Sequence, residues 1–129
     1  MPTDWSDDIV IAELADEPAL SDELTGIVQR LESTDARKPS VVLNFAGVSY
    51  VNSSNLAQLL KIKSRLKEAG RTLRLCSVSD DVWSVLMVTG LDKVFQFHPD
   101  PMTALAAIQI DIANNDESPK ADGPRGGRR

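Results

Sequence analysis

The sequence predicts one α/β or α+β domain built on a single mixed sheet, and three observations predict it. Short apolar runs, several rich in β-branched residues, alternate with amphipathic helical segments four times along the chain. Strictly alternating elements of this length imply one sheet with helices packed against it, because each crossover needs a helix to return the chain. The chain has 129 residues, 42% hydrophobic and 26% charged, which is ordinary for a single buried core and too apolar for a disordered chain.

Ile9–Leu14 is a β-branched run that ends at Ala15-Asp16-Glu17-Pro18, where the proline and the acids stop it, and it predicts the first strand. The segment before Ile9 is short for an additional leading strand. From Ser21 the period turns helical: Leu20, Leu24, Ile27, Val28 and Leu31 lie three or four apart, with Asp22, Glu23, Gln29 and Arg30 between them. Ser21 offers an N-cap, and Gly26 costs this helix about 1 kcal/mol relative to Ala. After the polar linker from Ser33 to Pro39, Val41-Val42-Leu43-Asn44-Phe45 is an apolar run too continuous for a strand with one wet face, as expected of a strand covered on both sides.

Ala46 to Val51 then leads through Asn52-Ser53-Ser54-Asn55 into the longest helix. Its apolar positions are Leu56, Leu59, Leu60, Ile62 and Leu66, its exposed ones Lys61, Lys63, Arg65 and Lys67, and Gly70 supplies its stop. Leu73 to Cys76 predicts a strand. Ser79 is the N-cap of a helix with Asp80 and Asp81 in its first turn, running to Thr89-Gly90. Val94–Phe97 reads as a short closing strand, and Pro101 opens a last helix with Leu105, Ile108 and Ile112 at helical spacing. There is no internal repeat.

From about Asn114 the composition shifts to Asn, Asp, Glu, Ser, Pro, Gly and Arg, so a folded domain over 1–113 and a disordered tail over 114–129 are expected. The tail sets Lys120, Arg125, Arg128 and Arg129 against Asp116, Glu117 and Asp122, which leaves the domain more acidic than the whole chain at −5. It reads as a solubilising end, with a basic contact to an acidic partner as the alternative. A pI near 4.8 repels phosphate backbones and no basic run marks a DNA-reading helix, so nucleic acid is not an expected partner. Met1-Pro2-Thr3-Asp4-Trp5 has no signal-peptide character, and no stretch approaches the roughly 18 apolar residues of a membrane span. A cytoplasmic chain without membrane insertion is expected.

Enzyme signatures are absent. The chain has no Gly-rich dinucleotide fingerprint, no phosphate loop and no Gly-x-Ser-x-Gly elbow. His98, the only histidine, stands beside Pro99 and Asp100 in an expected solvated loop, without a second ligand at metal spacing. Cys76 reads as an inert core thiol, with no partner for an internal disulfide. The expectation is a non-enzymatic protein with no catalytic residue, metal or cofactor.

What stands out is Asn52-Ser53-Ser54-Asn55, four small polar residues at the start of the longest helix. Capping alone accounts for such a cluster, and Asn55 with Gln58 has the spacing of a capping box. In context, Val41 to Leu56, the basic helix after it, Gly70, Leu73 to Cys76, Val78-Ser79 and Thr89 to Phe95 resemble a STAS domain, the family of sulphate transporters and anti-sigma factor antagonists. The resemblance covers about Ile9 to Ile112 and is strongest between Val41 and Phe95.

The resemblance implies an α/β fold, a mixed sheet with helices packed mainly on one side, in a bacterial regulator of transcription. It also implies partner switching: an unmodified antagonist captures an anti-sigma factor with serine kinase activity, and phosphorylation releases it. The antagonists' motif is typically Asp-Ser-Ser/Thr-Gly-Leu, with its first serine phosphorylated. Here that serine is Ser53, with Ser54 as second choice, and the implied binding surface is Asn52, Ser53, Ser54, Asn55 and Leu56 with the adjoining helix. Asn52 stands where the motif has its acid and Asn55 where it has glycine, while Glu13-Leu14-Ala15-Asp16 takes the place of the family's Gly-Glu-Leu-Asp. A phosphate on Ser53 would bring roughly −1.5 to −2 charge to a positive helix end, which tolerates it, and would obstruct a docked partner.

Trp83 and Met87 lie one turn apart, off the Val82, Val85, Leu86 and Thr89 stripe, and are either a partner-facing patch or packed against a loop. Two other readings stand beside the antagonist. One is a non-switching STAS docking subunit of a transporter ATPase complex of the lipid-trafficking type. The other is a phospho-receiver, which Asp7 and Asp8 ahead of their strand, and Asn44 and Ser49 in place of an acceptor aspartate, do not favour.

Overall fold

The chain's computed structural model describes residues 3–5, 9–32 and 38–117, with side chains over 9–32 and 38–111. The strands are β1 (Thr3–Trp5), β2 (Ile9–Ala15), β3 (Ser40–Gly47), β4 (Leu73–Cys76) and β5 (Gln96–His98). The helices are α1 (Ala19–Glu32), α2 (Ser53–Glu68), α3 (Asp80–Thr89) and α4 (Pro101–Glu117), with a short 3-10 turn at Leu91–Lys93. They form one sheet of order β1-β2-β3-β4-β5, in which β1 is antiparallel to β2 and the other neighbours are parallel.

Sequential parallel strands joined by crossovers of one hand put the intervening helices on one face. α1, α2 and α3 accordingly share that face, where Leu20, Leu24 and Ile27 of α1, Leu59, Ile62 and Leu66 of α2, and Val82 and Leu86 of α3 close on Val10, Leu43, Phe45 and Leu75 of the strands. α4 follows the last strand and covers the other face, where Ala104 and Ile108 pack on Val42 and Cys76 with Ile9 and Ile11 at the margin. The alternation of side chains along β3 sends Val41, Leu43 and Phe45 to one layer and Val42 to the other, which is why apolar residues stand on both faces of this strand.

Close approach of the backbone at the end of β3 requires glycine. A Cβ on Gly47 would stand 2.9 Å from the Leu14 carbonyl oxygen, where the β2–β3 register slips between Glu13 and Ala15. Gly70 (φ +74°) and Gly90 (φ +80°) end α2 and α3 in the left-handed conformation that glycine adopts without strain.

Several expectations are corrected. The chain does have a leading strand: β1 pairs Thr3, Asp4 and Trp5 with Ala12, Ile11 and Val10. Ser21 is not the N-cap of α1, which begins at Ala19; its backbone N–H instead donates to the Glu17 carboxylate at 3.0 Å. The closing strand starts at Gln96, because Leu91–Lys93 form the 3-10 turn and Val94 keeps a helical backbone. Leu60 is exposed on α2, and the buried positions of α4 include Ala104 and Ile108 while Leu105 is half-buried. α4 continues to Glu117, past Asn114, and residues 118–129 of the expected tail lie outside the described residues, as do Asp7 and Asp8.

Candidate functional site

The site is built at the start of α2, where a helix leaves its first N–H groups without intrahelical partners. Asn52 is the N-cap, with extended backbone (φ −111°, ψ 177°), and its Oδ1 accepts the Asn55 N–H at 2.8 Å. Asn55 reciprocates, its Oδ1 accepting the Asn52 N–H at 2.9 Å. The capping box therefore joins Asn52 to Asn55 and not Asn55 to Gln58. Gln58 instead donates its Nε2 to Thr25 Oγ1 at 2.6 Å and ties α2 to α1.

Asn55 is wholly buried, and its Nδ2 donates to Glu17 Oε2 at 2.9 Å. Glu17 also accepts from the Ser21 backbone N–H and hydroxyl, so one carboxylate joins the first turns of α1 and α2. The bond from the Ser21 hydroxyl, followed by that from Asn55, holds the Glu17 carboxyl below its ordinary value. Beside it Asp16 accepts the Ser49 N–H and hydroxyl, both at 2.8 Å, and these bonds lower its carboxyl in turn. These two acids, which pin the β2–α1 turn to the β3–α2 loop, are the residues of the site that sequence reasoning missed. Asp16 closes Glu13-Leu14-Ala15-Asp16, and that was the only signal in the sequence for either of them.

With both asparagine amides spent on capping, Ser53 and Ser54 are the first two residues of the helix and both are exposed. Neither hydroxyl has a hydrogen-bond partner among the described residues. Tyr50 stands exposed on the same loop. Leu56 is 8% exposed and anchors the turn from beneath, so with Asn55 it supports this surface more than it forms it. From Ser54 a groove of about 410 Å³ runs between the helices, lined by Thr25, Gln29 and Glu32 of α1 and Ala57, Gln58 and Lys61 of α2.

Trp83 and Met87, one turn apart on α3, differ in exposure. Trp83 is half-buried, its ring edge-on to Phe97 with centroids 4.9 Å apart and planes at 87°, while Met87 is exposed next to an exposed Val88. His98 is no solvated loop residue: it ends β5, half-buried, with Nε2 3.3 Å from the Arg74 guanidinium. Burial, and then the Arg74 charge, push its pKa down. Cys76 is buried under α4, and that burial raises its thiol pKa. Among the described residues no cluster of His, Cys, Asp and Glu could hold a metal ion, and no helix is long and apolar enough to cross a membrane.

Three solved structures share this fold at low sequence identity. A STAS-domain anti-sigma-factor antagonist protein from Planctomyces limnophilus superposes with a TM-score of 0.70 at 22% identity, over 83% of this chain and 96% of its own. The Bacillus cell fate determinant SpoIIAA in its phosphorylated form gives 0.62 at 16%, over 82% and 96%. A sulfate transporter family protein from Wolinella succinogenes gives 0.65 at 19%, over 81% and 88%. The sequence profile of the STAS domain matches residues 15–104, from the end of β2 into α4 and across the whole candidate site. The chain belongs to the STAS domain family.

Proposed function

We propose that this protein is an anti-sigma factor antagonist that works by partner switching in the bacterial cytoplasm, with no catalytic activity of its own. Its partner is an anti-sigma factor with serine kinase activity, docked on the loop from Ser49 to Ser54 and the α1–α2 groove. Ser53 is the phosphate acceptor.

One observation carries the reading: Ser53 opens α2 with an exposed, unbonded hydroxyl, because Asn52 and Asn55 do the capping. A kinase can reach that oxygen without dismantling the helix end. The product phosphate would lie by the positive end of the helix dipole, which favours an anion by about 0.3–1 kcal/mol, so the fold survives while the docking surface changes charge. The likeness to antagonists, one of them in a phosphorylated form, supports the same reading.

The test is incubation with the cognate kinase and ATP followed by mass spectrometry, with partner affinity measured before and after. One phosphate on Ser53 and at least a tenfold loss of affinity are expected. Unmodified Ser53 and Ser54, under conditions that phosphorylate a related antagonist, refute the switch.

A second reading rests on Asn55, which is buried against Glu17 where the family's motif has glycine. A turn braced in this way suits a constitutive docking subunit of a transporter ATPase complex, and a transporter-family protein shares the fold. Affinity purification from the native cell separates the two, recovering an ATPase and permease in one case and a kinase in the other.

A further inference from the structure

The opposite end of α2 carries chemistry that the switch does not use. Lys63 and Lys67 sit one turn apart, and the helix stops at Ala69 in a turn where the Arg71 N–H donates to the Leu66 carbonyl at 2.8 Å. Gly70, at φ +74°, lets the chain fold back in this way and sets Arg71 beside the two lysines. The three cations line a cleft of about 250 Å³ with Thr72, Leu73 and Gln96 at the head of β4 and β5.

No carboxylate lines this cleft, and none pairs with Lys63, Lys67 or Arg71 among the described residues. The only acid of α2, Glu68, lies 3.8 Å from Arg65, which also pairs with Glu32. In a chain of net charge −5, three unneutralised cations around one concavity are a local reversal of the field. The floor is rigid, since Thr72 donates its N–H to Ser40 Oγ at 3.2 Å and its carbonyl accepts the Val41 N–H at 3.0 Å. Gln96 Oε1 accepts from the Arg74 guanidinium, which leaves its Nε2 free to donate.

We propose that this cleft is an anion site for a compact phosphate group, of the diphosphate or phosphomonoester class. About 250 Å³ is below the roughly 300–1,000 Å³ of pockets that enclose a whole small molecule, so the cleft takes a headgroup and leaves the rest of its ligand outside. Two lysines and an arginine match a group of charge about −2 to −3, and the Gln96 amide adds a donor. Such a group comes from a soluble nucleotide or from a phospholipid headgroup. Lys63 and Lys67 lie ten and fourteen positions after Ser53 on α2, about 15 and 21 Å along the helix, so the site stands independently of the switch.

The experiment is calorimetric titration of the full chain with inorganic pyrophosphate at low salt, with a parallel flotation assay on phosphatidic acid vesicles. Saturable one-to-one binding of pyrophosphate is expected. It should weaken at least tenfold in the double variant Lys67→Gln/Arg71→Gln, stay unchanged in Lys61→Gln on the same helix and in Ser53→Ala, and fall as salt rises. Vesicle capture that depends on the same two residues assigns the phosphate to a lipid; pyrophosphate binding without capture assigns it to a soluble ligand. Absence of binding in both assays, or an equal loss in Lys61→Gln, overturns the site.

Discussion

Ser53 and Ser54 can serve a partner only if the helix does not need their hydroxyls, and that division of labour can be measured. Replacing Asn52 with Ala removes the Oδ1 that accepts the Asn55 N–H at 2.8 Å. Loss of such a cap costs about 0.5–2 kcal/mol. Replacing Asn55 with Ala leaves the Asn52 N–H unpaired at a half-buried position, a cost of about 1–3 kcal/mol, and also cuts the link to Glu17. Ser53→Ala and Ser54→Ala remove exposed hydroxyls without partners, and alanine is the better helix former, so each should fall within about 0.5 kcal/mol of the parent. Urea unfolding followed by circular dichroism resolves differences of this size. At about 3–6 °C per kcal/mol, the asparagine variants should also melt several degrees early. If Ser53→Ala costs as much as Asn52→Ala, the serine is part of the cap and the reasoning that frees it for modification is wrong.

Other outcomes follow from the same geometry. Gly47→Ala should destabilise by about 1–3 kcal/mol, because its Cβ would meet the Leu14 carbonyl oxygen at 2.9 Å and backbone cannot swing aside; a thermal melt that matches the parent contradicts that contact. Asp16 and Glu17 have folded-state pKa values below their ordinary 3.8 and 4.5, so their contribution is fully present above those values and is lost as the pH falls through the lowered ones. Unfolding of Asp16→Ala and Glu17→Ala should thus differ from the parent at about pH 7, and the difference should shrink as the pH falls through the lowered values. Trp83→Leu should lose about 0.5–1.5 kcal/mol beyond its change in area, through the edge-on contact with Phe97, and an unchanged denaturation midpoint would count against that packing. Cys76 should resist a thiol reagent in the folded chain and react on unfolding; fast native labelling would show that α4 does not cover it.

How far the sequence could be read depended on where the deciding contact lay. The Leu73–Cys76 strand, the Ser79 cap and the Gly70 and Gly90 stops were legible because each rests on neighbours within a turn. β1 was not, since three residues are too few to show an alternation and only their pairing with β2 makes them a strand. The expected strand from Val94 to Phe97 began two residues early, because Val94 keeps a helical backbone after the 3-10 turn at Leu91–Lys93 and β5 opens at Gln96. At the site, the start of α2 followed from the pattern. The bond from Asn55 to Glu17 spans 38 positions, and nothing local announces it.

That long bond bears on the two asparagines where the family's motif differs. A carboxylate at the N-cap would already compensate the positive end of α2 and would repel a phosphate on the next residue. Asn52 caps without charge, and the first turn of α2 holds no acid, so a phosphate on Ser53 would be the first charge within that turn. The nearest fixed carboxylate by bonding, Glu17, is reached through Asn55, whose amide donates to it and sits buried between the two helix starts. The pair of amides thus keeps the capping geometry, lowers the like-charge cost of modification at Ser53, and ties the docking loop to α1. Under the proposed switch, replacing Asn52 with Asp should leave the cap intact yet slow phosphorylation, and a faster reaction in that variant would show that the carboxylate recruits the kinase more than it repels the product.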